Sequence, residues 1–156
     1  MRKIALFVFV FTSFQFQLLA QYLSETTWVE EEKTACVTIG ILQGGGALVG
    51  ADFEFLISNR VGFQAGIGYI AFGAAINYHL KPTIRSSFIS FNYWNQGIGP
   101  SFAQNLVGAS FVFRGKRWFT AQIGLGVPLE KGPAMPDDYE QSPIMLTYSI
   151  GAYIPF

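Results

Sequence analysis

The chain has 156 residues, of which 51% are hydrophobic, 17% aromatic and only 13% charged, with a formal net charge of zero. A soluble domain usually carries about 25% charged residues, so this composition argues against an ordinary water-facing surface. The balanced charge also argues against a nucleic-acid partner, which needs a concentrated basic face, and the single cysteine, Cys36, excludes an intrachain disulfide.

The first twenty residues have the pattern of a secretory signal peptide. Arg2-Lys3 is a basic start, residues 4–11 are an apolar core, and Leu18-Leu19-Ala20 before Gln21 offers a cleavage site. The apolar run is too short for a helix to cross roughly 30 Å of hydrocarbon, and Thr12, Ser13, Gln15 and Gln17 follow it. No cysteine follows that core to carry a lipid anchor. Residues 21–33, with Glu30-Glu31-Glu32, read as a polar lead-in, partly disordered. Beyond it no run of 18 residues is continuously apolar, so the sequence offers no spanning helix.

From residue 34 the sequence alternates with period two, the mark of strands that meet two different environments. Segment 34–43 sets Val37, Ile39 and Ile41 on one face, with Cys36 on the small-residue face, and Gly44-Gly45-Gly46 turns the chain. Segment 47–57 sets Val49, Ala51, Phe53, Phe55 and Ile57 against Gly50, Asp52 and Glu54, and Ser58-Asn59-Arg60 turns. Segment 61–69 opposes Phe63, Ala65, Ile67 and Tyr69 to Gly62, Gln64, Gly66 and Gly68. A short turn near Ile70-Ala71 leads to 72–80, where Ala74, Ile76, Tyr78 and Leu80 oppose Gly73, Ala75, Asn77 and His79. After the turn 81–85, segment 86–95 opposes Ile89, Phe91 and Tyr93 to Phe88, Ser90, Asn92 and Trp94.

A loop at 96–104 precedes 105–114, with Val107, Ala109, Phe111 and Phe113 against Gly108, Ser110 and Arg114. Gly115-Lys116-Arg117 turns into 118–127, with Phe119, Ala121, Ile123 and Leu125 against Thr120, Gln122, Gly124 and Gly126. The longest loop, 128–143, leads to a closing strand whose apolar face runs Ile144, Leu146, Tyr148, Ile150, Ala152, Ile154 and Phe156. Every proline but Pro155 falls in an expected turn or loop. Expected strand lengths of about nine to thirteen residues match what a tilted membrane strand needs.

Eight alternating segments with one bulky and one small face predict an all-β, eight-stranded antiparallel up-and-down transmembrane β-barrel over residues 34–156. A soluble lipid-carrier barrel inverts the faces and charges its exterior. Here no Asp or Glu lies between Phe55 and Leu129, so the bulky face suits hydrocarbon and the small one a narrow, side-chain-filled lumen. An even strand number places both termini on one side. Termini in the periplasm set the turns 58–60, 81–85 and 114–117 there, with six of the ten basic residues: Arg60, Lys81, Arg85, Arg114, Lys116 and Arg117. Trp94, Trp118, Tyr69 and Tyr93 fall near strand ends, where aromatic girdles sit.

The closing strand carries Ser149, then Gly151, then hydrophobics at Ile154 and Phe156. That spacing resembles the C-terminal assembly signal of bacterial outer-membrane barrels. With the strand count and the loop asymmetry, the region from residue 34 resembles the small eight-stranded outer-membrane barrels, the OmpA-barrel/OmpX-like group. The resemblance implies residence in a Gram-negative outer membrane, lipid contact and handling by the barrel-assembly machinery. The outer loops are stubbier than those of adhesin-like members.

Asp52, Glu54, His79 and Arg114 share the lumen face. They read as an internal polar network, because buried charges must be paired; the competing reading is a proton relay or catalytic carboxylates. A hydrolytic triad needs Ser, His and a carboxylate in reach of one another, and no serine stands in register with His79, the single histidine. Glu130, Asp137, Asp138 and Glu140 in the last loop lack the ligand spacing of the common calcium loops. The glycine-rich Gly44-Gly45-Gly46 precedes a strand, so it is no phosphate cradle. The expectation is a non-enzymatic envelope barrel without cofactor or metal, a structural element or an accessory subunit of a larger outer-membrane complex. A lipid-modifying enzyme and a narrow channel or small-solute binder are the alternatives.

Overall fold

The computed structural model of the chain describes residues 33–136, 138 and 140–156. The expected signal peptide and all of the lead-in except Lys33 lie outside the described residues, as does Asp137.

Eight strands follow in order: β1 (Ala35–Ile41), β2 (Val49–Leu56), β3 (Val61–Gly68), β4 (Ala71–His79), β5 (Phe88–Gln96), β6 (Gln104–Arg114), β7 (Phe119–Lys131) and β8 (Met145–Pro155). Each pairs antiparallel with its chain neighbours, and β8 pairs back on β1, from Ile41 opposite Ile150 to Cys36 opposite Pro155. The sheet is a closed up-and-down barrel, and each expected segment corresponds to one strand.

The alternation sorts side chains as the sequence pattern requires. Ile39, Phe53, Ile67, Ile76, Phe91, Ile123 and Ile150 point outward and are 43–71% exposed. Thr38, Asp52, Asn77, Ser90, Asn92, Ser110, Thr120 and Ser149 point inward and are buried. The interior is therefore largely polar and the exterior apolar. Trp94 follows the same parity: Tyr93 takes the outward position, so Trp94 is buried in the lumen and is not part of an exterior girdle. Trp118 and Tyr69 are exposed, at 59% and 78%.

Three boundaries differ from the sequence expectation, each for a local reason. First, β7 continues through Pro128 and Glu130, which the sequence reading placed in the last loop. The register shifts there: Leu106 faces Pro128 and Asn105 faces Glu130, leaving Leu129 as an extra residue. Such a bulge accepts a residue that cannot donate to the ladder. Second, the β3–β4 hairpin turns on Tyr69-Ile70, with Gly68 paired to Ala71 and Ile70 at φ 59°.

Third, the three glycines do more than reverse the chain. Residues 43–47 fold back into the lumen, where Gln43, Gly44, Gly45 and Ala47 are buried. Gly44, Gly45 and Gly46 all have positive φ, between 64° and 85°, a region open to glycine at little cost. The backbone of Gly44 lies on that of Ile67 and Gly68, and Gly45 on that of Phe72. Glycines on the lumen face make the room: a Cβ on Gly66 or Gly73 would stand 3.0 Å from the Cα of Gly44 or Gly45. The opposite mouth is closed by the β4–β5 connection, whose Ile84 side chain is fully buried.

Overfilling this contact should expel the loop. A Gly66→Val substitution would press on Gly44 and on the Asp52 carboxylate, and overpacking of this kind costs about 1–3 kcal/mol. Urea unfolding of the folded barrel, followed by tryptophan fluorescence, should show a lower midpoint with an unchanged slope; an outward-facing Ala65→Val control should not.

Candidate functional site

The polar lumen is densest near the end where β1 begins and β8 finishes. Glu54 of β2 faces Cys36 of β1 across the ladder, and His79 of β4 faces Phe88 of β5. Arg114 is the last residue of β6 and reaches back across the lumen to Cys36, Glu54 and Phe88. The barrel's curvature, and not sequence proximity, brings these strands together.

Glu54 is 1% exposed, and both of its oxygens are fully engaged. Oε1 accepts from Asn77 Nδ2 at 2.5 Å and from His79 Nε2 at 3.0 Å. Oε2 accepts from Arg114 Nη2 at 2.5 Å and, weakly, from the Cys36 thiol at 3.7 Å. Arg114 Nη2 also lies 3.0 Å from Cys36 Sγ, and Nη1 donates to the carbonyl of Ile84. The guanidinium sits between two rings, 4.8 Å from the centroid of Phe88 and 4.9 Å from that of Tyr153. Tyr153 in turn donates its hydroxyl to the Gly115 carbonyl at 2.5 Å. A buried carboxylate is tolerable only when its lone pairs are satisfied and its charge is matched, and this cluster meets both conditions.

Three of the four expected residues, Glu54, His79 and Arg114, thus meet in one cluster. Asp52, two residues along β2, stands apart from it. Its Oδ2 accepts from the backbone N–H of Gly44 at 3.3 Å, and Gln64 hydrogen-bonds its carboxylate. Gln64 accepts from Asn77 at 2.8 Å, so amides connect Asp52 to Glu54. The two carboxylates do different jobs: Glu54 neutralises Arg114, and Asp52 clasps the inward loop.

Sequence reasoning gave no role to Cys36, and did not place Asn77, Ile84 or Tyr153 in the cluster. Parity along the strands puts Cys36, Asn77 and Tyr153 on the lumen face, but only the register shows that they reach the same level. Nothing in the sequence signals that Ile84 turns inward. Higher in the lumen, Asn92 and Gln122 both donate to Ser110, at 2.8 and 2.9 Å. A further amide ladder runs from Gln141 to Gln104 to Gln96 at 2.8 Å per step.

The cluster is chemically closed. His79 and Cys36 are fully buried, and among the described residues no group of three or more His, Cys, Asp or Glu side chains could hold a metal ion. Of the acidic residues expected in the last loop, Glu130 lies in β7 and accepts from Asn105 Nδ2 at 3.1 Å across the β6–β7 ladder. The expected assembly-signal residues divide by face. Ser149 donates to Gln122 at 3.4 Å inside, and Gly151 packs against Gly40. Ile154 and Phe156 point outward, each 59% exposed, and the Phe156 ring lies 6.2 Å from Phe53.

A double-mutant cycle should reveal the coupling within the cluster. Glu54→Gln and Arg114→Met each strand a buried charge, which costs about 3–5 kcal/mol. The double variant should lose clearly less than the sum when unfolded by urea in detergent micelles, whereas additive losses would show the pair to be uncoupled.

No protein-family model, no curated protein and no solved structure matches the chain.

Proposed function

We propose that this chain is a bacterial outer-membrane barrel of the OmpA-barrel/OmpX-like kind, without catalytic activity. It serves as a structural element of the envelope or as an accessory subunit beside a larger outer-membrane protein complex. One observation carries the membrane assignment: a band of large apolar side chains encircles the exterior while the polar side chains fill the lumen. Outward strand positions from Ile39 through Phe55, Ile76, Phe91, Val107 and Leu125 to Tyr148 are 40–64% exposed. Exposed apolar surface on that scale marks contact with a lipid or protein partner, and a closed barrel is one of two architectures that satisfy its backbone in lipid.

Loop length supports the orientation, with the short connections at the periplasmic end. Arg60, Lys81, Arg85, Lys116 and Arg117 lie with the strand ends nearest residues 33 and 156, the end assigned here to the periplasm. The non-catalytic reading rests on the saturation of Glu54 and on the burial of His79 and Cys36, which leave no reacting group of this cluster open to a substrate. A conducting role fits poorly with a lumen filled at one end by residues 43–47 and at the other by Ile84 and Arg114. The lipid-facing wall is then the main surface available to a partner.

Expressed in a Gram-negative host, the protein should fractionate with the outer membrane and migrate faster unboiled than boiled on a denaturing gel. A soluble periplasmic band without a heat shift would overturn the membrane assignment. The accessory role requires an outer-membrane protein recovered with the tagged, folded barrel after crosslinking. A lipid A pattern changed on overexpression and restored by His79→Ala would overturn the non-enzymatic reading.

A further inference from the structure

The barrel wall has unequal height. β1 to β4 contain 7, 8, 8 and 9 residues, whereas β6, β7 and β8 contain 11, 13 and 11. At about 3.3 Å per residue and a tilt of about 40°, eight residues rise about 20 Å and eleven to thirteen rise about 28–33 Å, against an apolar band of about 25 Å in outer-membrane barrels. On this arithmetic the β1–β4 wall falls short of a full bilayer and the β6–β8 wall does not.

Side-chain chemistry at the two ends shows where the shortfall lies. Each connection at the basic end carries cations: Arg60, Lys81 with Arg85, and Lys116 with Arg117. At the other end of the short wall, residues 41–50 and 67–73 contain no charged residue. Their one amide, Gln43, is buried in the lumen. The side chains that protrude are Leu48, Tyr69 and Ile70, 72%, 78% and 40% exposed. At the same end of the tall wall stand Glu130, Lys131, Asp138 and Glu140.

The hairpin tip points the same way. A two-residue turn in water is commonly Asn-Gly or Asp-Gly, because positive φ is needed. Here a β-branched residue, Ile70, occupies φ 59°, at a backbone cost of about 1–2 kcal/mol. An apolar pair suits a tip that meets no water, where the side chains of Asn or Asp would go unsatisfied. The Tyr69 N–H is already bonded, to the Val49 carbonyl at 3.0 Å.

We propose that the β1–β4 wall ends inside the bilayer. Leu48, Tyr69 and Ile70 contact lipid acyl chains, and the leaflet thins locally to meet them, while the β6–β8 wall stands at full thickness. The barrel thereby imposes a thickness gradient on the membrane around its circumference, one of the ways a short apolar span is accommodated. The inference rests on the membrane assignment above, and its test separates the two.

Nitroxide labels placed by Tyr69→Cys, Ile76→Cys and Ala134→Cys report tip, mid-wall and tall-side loop. Labelling is done on the folded protein, whose Cys36 is fully buried, with the unsubstituted barrel as blank and the heat shift as a folding check. In vesicles of phosphatidylcholine with C18 chains, site 69 should resemble site 76, relaxed by oxygen and shielded from a water-soluble nickel chelate. Site 134 should be open to nickel. In C12 vesicles, nickel access at site 69 should rise at least threefold. Nickel access at site 69 equal to that at site 134 in C18 lipid would overturn the proposal, as would shielding of site 134. Nickel access at site 76 would instead overturn the membrane assignment itself.

Discussion

Closure of the sheet is the constraint on which everything else depends. An open eight-stranded sheet has two edges of unpaired N–H and C=O groups, open to pairing with other chains. Here β8 returns to β1, and the pairing extends to Phe156, which exchanges backbone hydrogen bonds with Ala35 at 2.9 and 3.4 Å. Once closed, the strands have an inside and an outside, and each residue's parity decides which it sees. Gly40 and Gly151 lie opposite each other in the closing pair, where a Cβ on Gly151 would press on the Ile39 carbonyl.

Closure also inverts the usual stabilisation. In a water-soluble domain, burial of apolar side chains supplies most of the driving force. Here the large apolar side chains face outward, and the buried set is rich in Thr, Ser, Asn, Gln and charged residues. The interior is held by hydrogen bonds whose partners are mostly other lumen side chains, and the Glu54–Arg114 pair is enclosed by the wall. Such networks specify one arrangement strongly, because each donor left unpaired in a low-dielectric interior is costly. Glu54 of β2 is the hub: Asn77 and His79 from β4, two strands away, and Arg114 from β6, on the opposite side of the ring, all converge on its two oxygens.

The two connections that turn inward complete the packing. Residues 43–47 fill the upper lumen over the small faces of β3 and β4, and Ile84 caps the lower one beneath Arg114. An eight-stranded barrel has an interior just wide enough for side chains, and backbone enters it only where glycines line both surfaces. The inward loop has a second consequence. With its chain spent on the lumen, the β1–β2 end presents only Leu48 and its neighbours to the outside, which leaves the short wall apolar to its tip.

Strand number, the up-and-down order and the sorting of side chains to inside and outside were legible in the sequence because period-two alternation is a local property, fixed by the pleat wherever the strand lies. Parity alone put Asp52, Glu54, His79 and Arg114 on one face, and Phe53, Ile76 and Phe91 on the other. What parity cannot supply is height. Whether two lumen residues on different strands meet depends on register, and register is set by hairpin geometry and closure around the whole ring. Tertiary structure alone therefore separated Asp52 from the Glu54 cluster and brought Cys36 and Asn77 into it. It also turned Gly44 and Ile84 inward and carried Pro128 into β7 at a bulge. Each of these is decided by contact between segments distant in sequence, and such contacts exist only once the ring has closed.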